Sequence, residues 1–187
     1  MNKILVFAGS ARKASVNKKL AAVAAETARA AGAEVTLIDL ADYPAPVYDG
    51  DIEAGEGIPQ SIRDLKTLIA SHDGMIIVTP EYNGCVPPLL VNSLDWASRP
   101  EGDEVSSAVF AGKKVAIAAA SPGGMGGVRV IPRLRDFLAE LGVVTVPGFV
   151  TLPGAFSAFD DDGKLTDEKT ASMLEALVGR LVSSLAQ

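Results

Sequence analysis

Short, nearly uninterrupted apolar runs recur along the chain, each separated from the next by a stretch of helical period. That alternation leaves few folds open. Ile4–Ala8, Val35–Ile38, Met75–Thr79, Val115–Ala120 and Val143–Val146 read as strands. Runs without polar alternation are the pattern of parallel strands covered on both faces. In the first intervening segment Leu20, Val23, Ala24, Thr27 and Ala31 share one stripe, and Gly32 ends it. A second helix is expected from about Pro59, burying Ile62, Leu65, Leu68 and Ile69, and a third from Pro87-Pro88 to about Ala97. A fourth carries Leu134, Phe137, Leu138 and Leu141 before Gly142; with Pro132 inside it, it either starts near Ile131 or is kinked. The last is expected from Thr166 as N-cap, with Asp167 and Glu168 in its first turn and Leu174, Leu177, Val178 and Leu181 buried. Five strands alternating with five helices predict an α/β, doubly wound parallel sheet of order 2-1-3-4-5 with helices on both faces. Tyr43–Gly57 and Pro153–Gly163 remain as long loops.

The 187 residues suit a single domain spanning 1–187, and at 48% apolar residues the chain can build its core without covalent staples. One cysteine (Cys85) excludes an internal disulfide, and one cysteine with one histidine (His72) is too few for a zinc site. The same scarcity argues against a Cys-His or Ser-His-Asp catalytic set. The apolar run in Met1–Phe7 is too short for a signal peptide, and no stretch reaches the roughly 20 apolar residues of a membrane span. A cytoplasmic protein without membrane partners is therefore expected. A net charge of −6 argues against nucleic acid as a partner. Against that acidic background Arg12, Lys13, Lys18 and Lys19 cluster where an anion would sit.

In an open sheet of this order, ligands bind outside the carboxyl ends of the strands, at the loops after strands one, three and four. All three loops are unusual here. After the first strand comes Gly9-Ser10-Ala11-Arg12-Lys13-Ala14-Ser15-Val16-Asn17, opening directly into a helix. Short polar side chains, a helix N-terminus and a guanidinium together suit a phosphate. The plainer alternative is that Ser15 or Asn17 only caps the helix. A P-loop is excluded because Ala14 stands in its second glycine slot, and the dinucleotide fingerprint G-x-G-x-x-G is absent, so Asp39 reads as a surface or capping residue. After the third strand, Thr79-Pro80-Glu81-Tyr82-Asn83-Gly84-Cys85-Val86-Pro87-Pro88 is defined by its backbone, offering N–H and C=O groups to a ligand edge. Cys85 has no base near it in sequence and reads as a small loop residue. After the fourth, Ser121-Pro122-Gly123-Gly124-Met125-Gly126-Gly127 lets the backbone approach a flat ligand.

The stretches GSARKASVN, TPEYNGCVPPLLVNSLDWASRP and SPGGMGGVR resemble the NADPH-dependent FMN reductase family, in its chromate and quinone reductase branch. The resemblance implies a flavodoxin-like fold and FMN as cofactor. It also implies NADPH or NADH as donor and a small-molecule acceptor such as a quinone, chromate, azo compound or free flavin. Ser10, Arg12, Ser15, Val16 and Asn17 would hold the FMN phosphate. Pro80, Glu81, Tyr82, Asn83 and Gly84 would line the flavin ring, and Ser121 and Gly124 would close its other edge. Hydride would pass through flavin N5 in a ping-pong cycle, so no acid–base residue of the protein is required. Arg12 and Arg99 are candidates for the nicotinamide phosphates. A homodimer or homotetramer is expected through the helix that carries Leu89, Leu90, Leu94 and Trp96. Pro88 and Val91 depart from the family's usual glycine and lysine. Two other readings remain open on this fold: an FMN electron carrier without a nicotinamide site, and a non-redox binding protein.

Overall fold

The computed structural model describes residues 1–186. Strands β1 (Lys3–Ala8), β2 (Glu34–Asp39), β3 (Gly74–Thr79), β4 (Lys114–Ala120), β5 (Val144–Thr145) and β6 (Val150–Leu152) form one parallel sheet. The order is β2-β1-β3-β4-β5, as the alternating pattern predicts, with β6 also paired to β4. The helices are α1 (Val16–Ala30), α2 (Gly50–Glu56), α3 (Gln60–Ser71), α4 (Pro88–Ala97), α5 (Val130–Glu140) and α6 (Glu168–Leu185).

Strand side chains alternate between two cores, as the period of two requires. Leu5, Phe7, Met75, Ile77, Val115 and Ile117 face the layer of α3, α4 and α5, where Ile62, Leu65, Leu90, Leu94, Trp96, Leu134 and Leu138 meet them. Ile4, Val6, Ile76, Val78, Ala116 and Ala118 face α1 and α6. This second face is rich in alanine on both sides, with Ala21, Ala24, Ala25 and Ala28 on α1, so helix and sheet pack closely. Every strand residue of β3 is buried, which explains its unbroken apolar run.

The fifth strand is shorter than expected and is followed by a sixth. β5 lies within Val143–Val146 and pairs only with Lys114 and Val115, and β6 takes over beside Ala118–Ala120. Pro147 has no N–H to give a ladder, and Gly148 turns the chain with φ +88°. Two arginines from neighbouring helices satisfy the carbonyls of that break. Arg180 Nε donates to Pro147 O at 3.0 Å, and Arg135 Nη2 donates to Gly148 O at 2.7 Å.

Other boundaries shift for local reasons. Helix α5 begins at Val130, so Pro132 lies in the first turn, where its missing N–H has no intrahelical partner to lose. The cap of α6 is Asp167, not Thr166; its carboxylate accepts from Thr170 N at 2.8 Å. Pro88 occupies the first position of α4, where proline costs no hydrogen bond. The loop Tyr43–Gly57 contains α2 and straps across α4. Trp96 Nε1 donates to Pro46 O at 2.8 Å, and Asn92 donates to Pro46 O while accepting from Tyr48 N. Tyr48 stands edge-on to Trp96 and its hydroxyl donates to Glu53, which also pairs with Arg99. The Tyr48 and Arg99 hydrogen bonds hold the Glu53 carboxyl below the ordinary glutamate value of 4.5. A depressed carboxylate stabilises the fold above its unfolded pKa and loses that contribution as pH falls through the folded one. Glu53→Gln should therefore flatten the acid limb of stability, as urea midpoints below and above pH 4.5 would read.

His72 is buried at the opposite end of the sheet, with Nδ1 against Leu68 O at 2.6 Å and Nε2 against Thr36 Oγ1 at 2.8 Å. Its surroundings are structural. The apolar residues Leu90, Leu94 and Trp96 of α4 are fully buried core, so they form no free face for a second copy.

Candidate functional site

Parallel strands deliver their following loops to one edge, and here the loops after β1, β3 and β4 close around a single cleft of about 160 Å³. Ser10, Arg12, Ser15, Val16, Asn17, Pro80, Glu81, Tyr82 and Ser121 line it, as do Ala120, Pro122 and Phe156. Pockets that enclose a drug-sized ligand run to roughly 300–1,000 Å³. This cleft therefore suits the narrow end of a ligand, with the rest lying at its mouth.

The floor of the cleft is the start of α1. Gly9 packs closely there: a Cβ would lie 3.1 Å from Leu90 Cδ2, which would have to give by a few tenths of an ångström. Ser15 is the N-cap, and its Oγ accepts from Asn17 N at 3.2 Å. The capping alternative is thus true of Ser15 without using up the helix terminus, because the Val16 and Lys18 amides have no acceptor among the described residues. Asn17 lines the cleft with its side chain committed to protein. Its amide is buried, donates to Ala120 O at 3.0 Å and accepts from Ala120 N at 2.9 Å, tying α1 to the end of β4.

The basic cluster divides. Lys18 is drawn to Asp39, which also caps the 3-10 turn at Leu40–Asp42 by accepting from Ala41 N. Lys19 lies over the Phe159 ring, 5.6 Å from its centroid. Arg12 and Lys13 are exposed and make no ion pair among the described residues, so they are the cations left for an anion. Arg99 is partly engaged in the strap over α4: its Nε lies 3.0 Å from both carboxylate oxygens of Glu53.

The loop after β3 closes on itself. Asn83 (φ 52°) and Gly84 (φ +78°) make a mirror-image turn, across which Tyr82 N donates to Cys85 O and Cys85 N to Tyr82 O. Those four groups are used within the turn, whereas the Asn83 and Gly84 N–H groups between them have no acceptor among the described residues. The Tyr82 side chain is half exposed at the cleft mouth, and Cys85 is exposed. Glu81 reaches across to the next loop, where its carboxylate accepts from Arg129 N at 3.0 Å and Arg129 Nε at 2.7 Å. Burial alone would raise the Glu81 pKa; the Arg129 bonds and charge outweigh it and hold the carboxyl below the ordinary value.

In the loop after β4, Ser121 N donates to Leu152 O and Ser121 O accepts from Ala155 N, docking the loop on β6. The four glycines serve two ends. Gly124 faces open space and Gly123 meets only Ser121 Oγ at 3.6 Å, whereas Gly126 and Gly127 have positive φ and pack against protein. A Cβ on Gly126 would lie 2.8 Å from Pro153 N. Gly126→Ala is expected to cost about 1–3 kcal/mol of stability, read by urea unfolding.

Phe156 and Pro122 are cleft residues that the sequence pattern did not single out. Phe156 is brought to the cleft by the loop that follows β6. Larger hollows of about 440 Å³ beside α4 and about 520 Å³ beside the Asp160–Lys164 turn gather no comparable set of anion donors. The donors of the small cleft suit a phosphate ester: unpaired helix amides, a serine hydroxyl on Ser10 and the unpaired Arg12.

Comparison with known proteins agrees with this geometry. The model of the NADPH-dependent FMN reductase family matches residues 2–157. A quinone reductase of Pseudomonas putida is 37% identical over 182 residues, covering 96% of this chain and 92% of that protein. A quinone reductase of Escherichia coli is 34% identical over 183 residues, covering 97% and 92%. A solved flavoenzyme NAD(P)H:(acceptor) oxidoreductase from Paracoccus denitrificans superimposes with a TM-score of 0.82 at 32% identity, over 100% of this chain and 98% of that one. A solved NADH:FMN oxidoreductase in its apo form shares the fold, with a TM-score of 0.70 at 23% identity over 98% of this chain and 90% of that one. The chain therefore belongs to the NADPH-dependent FMN reductase family, and is an oxidoreductase whose cofactors are FMN and NAD(P)H.

Proposed function

We propose that this chain reduces a quinone, or a small acceptor of similar electron demand such as chromate, an azo compound or a free flavin, in two half-reactions. The carrying observation is the convergence of the α1 N-terminus, Arg12 and the three loops on one cleft at the carboxyl edge of the sheet. When bound, FMN supplies the hydride chemistry between NAD(P)H and the acceptor.

The chain's own residues bind and orient. Ser10, Ser15, Val16 and Arg12 hold the phosphate: the helix amides by dipole and hydrogen bond, Arg12 by charge. Asn17 supports them by fixing α1 to β4. Pro80, Glu81, Tyr82, Asn83 and Gly84 form one wall for the ring, and Ser121, Gly123 and Gly124 the other. Gly123 and Gly124 carry no side chain toward the mouth, so a flat nicotinamide or quinone can approach there. The described residues of the cleft include no histidine, and none is required for hydride transfer.

No described helix is long and apolar enough to cross a membrane. A cytoplasmic homodimer or homotetramer is our reading. The groove lined by Val47, Pro88, Leu89 and Val91 on the outer side of α4 supports it, and light scattering would test it.

The test of function is spectroscopic. Purified protein supplied with FMN should show a bound flavin band that bleaches on anaerobic addition of NADPH and returns when a quinone is added. A flavin band that persists under NADPH would favour an electron carrier; absence of any bound flavin would overturn the proposal.

A further inference from the structure

We infer that Glu81 and Arg129 form a positioning clamp, which holds the loops after β3 and β4 at a fixed separation around the flavin ring and keeps the charge there balanced. The inference rests on the reading that this cleft holds FMN. Three observations carry it. The two residues are 48 positions apart and belong to the two loops that flank the cleft mouth. The Glu81 side chain is 7% exposed, although it lies in a surface loop. It accepts from both the backbone and the side chain of Arg129, with Nη2 also 2.5 Å from Oε1. A single carboxylate thus fixes the Arg129 backbone as well as its guanidinium, at the start of α5 and two residues after the left-handed pair Gly126-Gly127. Earlier in the same loop lie Gly123 and Gly124, where an added Cβ would meet nothing nearer than Ser121 Oγ at 3.6 Å.

The pair is neutral as a unit, so the two halves have opposite electrostatic consequences. Reduction adds negative charge to the flavin. Glu81→Gln leaves the Arg129 charge uncompensated and should raise the flavin midpoint potential. Arg129→Ala leaves a buried carboxylate and should lower it. Both should weaken FMN binding about tenfold by loosening the loops, the loss typical of a charged hydrogen bond. Arg129→Lys keeps the charge but not the planar fork, and should restore the potential more fully than the affinity.

The experiment measures FMN affinity by flavin fluorescence and midpoint potential by anaerobic titration in the reconstituted wild type and these three variants. Thermal unfolding of each apoprotein checks that it is folded. Potentials displaced in opposite directions by Glu81→Gln and Arg129→Ala support the clamp. Affinities within twofold of wild type, or potentials that stay put or move together, overturn it while the FMN reading stands. Failure of the wild type itself to take up FMN overturns that reading and the clamp with it.

Discussion

Arg12→Ala should raise the dissociation constant for FMN about ten- to hundredfold while leaving the apoprotein's stability nearly unchanged. The affinity loss follows from removing a charge-assisted bond to a phosphate, worth about 1.5–3 kcal/mol. The unchanged stability follows from its position: Arg12 is exposed and has no ion-pair partner among the described residues, and such surface changes usually stay within about 0.5 kcal/mol. The effect should shrink with added salt, because an exposed charge is screened. Titration of flavin fluorescence at two salt concentrations, with a urea curve of the apoprotein alongside, measures all three. Unchanged FMN affinity together with an unchanged Michaelis constant for NADPH would remove Arg12 from the site.

Asn17→Ala should produce the opposite pattern, with a loss of about 2–5 kcal/mol in global stability. The residue is 2% exposed, and both ends of its amide bond the backbone of Ala120. Truncation leaves a buried N–H and a buried C=O without partners, each costing about 1–3 kcal/mol. FMN affinity should fall as well, since α1 would no longer be held against β4. The fall should be smaller than the stability change implies. Urea unfolding of the apoprotein measures the main effect, and a loss below about 1 kcal/mol would show that water replaces the amide at no great cost. Arg12 and Asn17 belong to one nine-residue loop sequence, yet one variant should fail in binding and the other in folding.

Much of the fold was legible because parallel strands buried on both faces must be apolar throughout. β1, β3 and β4 therefore showed themselves as unbroken runs, and sheet order followed from their alternation with helices. Strand five was legible too, since β5 lies within Val143–Val146, but the short β6 beyond it was not. Pro147 and Gly148 separate the two strands, and Arg135 and Arg180, from helices remote in sequence, donate to the carbonyls of that break. The site was legible at the level of loops. Nine of the residues expected for the cofactor line the cleft, as counted among Ser10, Arg12, Ser15, Val16, Asn17, Pro80, Glu81, Tyr82 and Ser121.

The sequence by itself determined the layered α/β architecture, the sheet order and the three loops that meet at its edge, because these depend on local periodicity and on glycine, proline and helix-capping chemistry. What each polar side chain does was decided only by tertiary structure. Asn17, Lys18, Glu81 and Arg99 all read as candidate ligand contacts or free charges along the chain. In the folded molecule Ala120, Asp39, Arg129 and Glu53 take them up. A hydrogen bond or ion pair is a relation between two positions, and its second partner is here between 21 and 103 residues away. Periodicity within one segment carries no record of that distance.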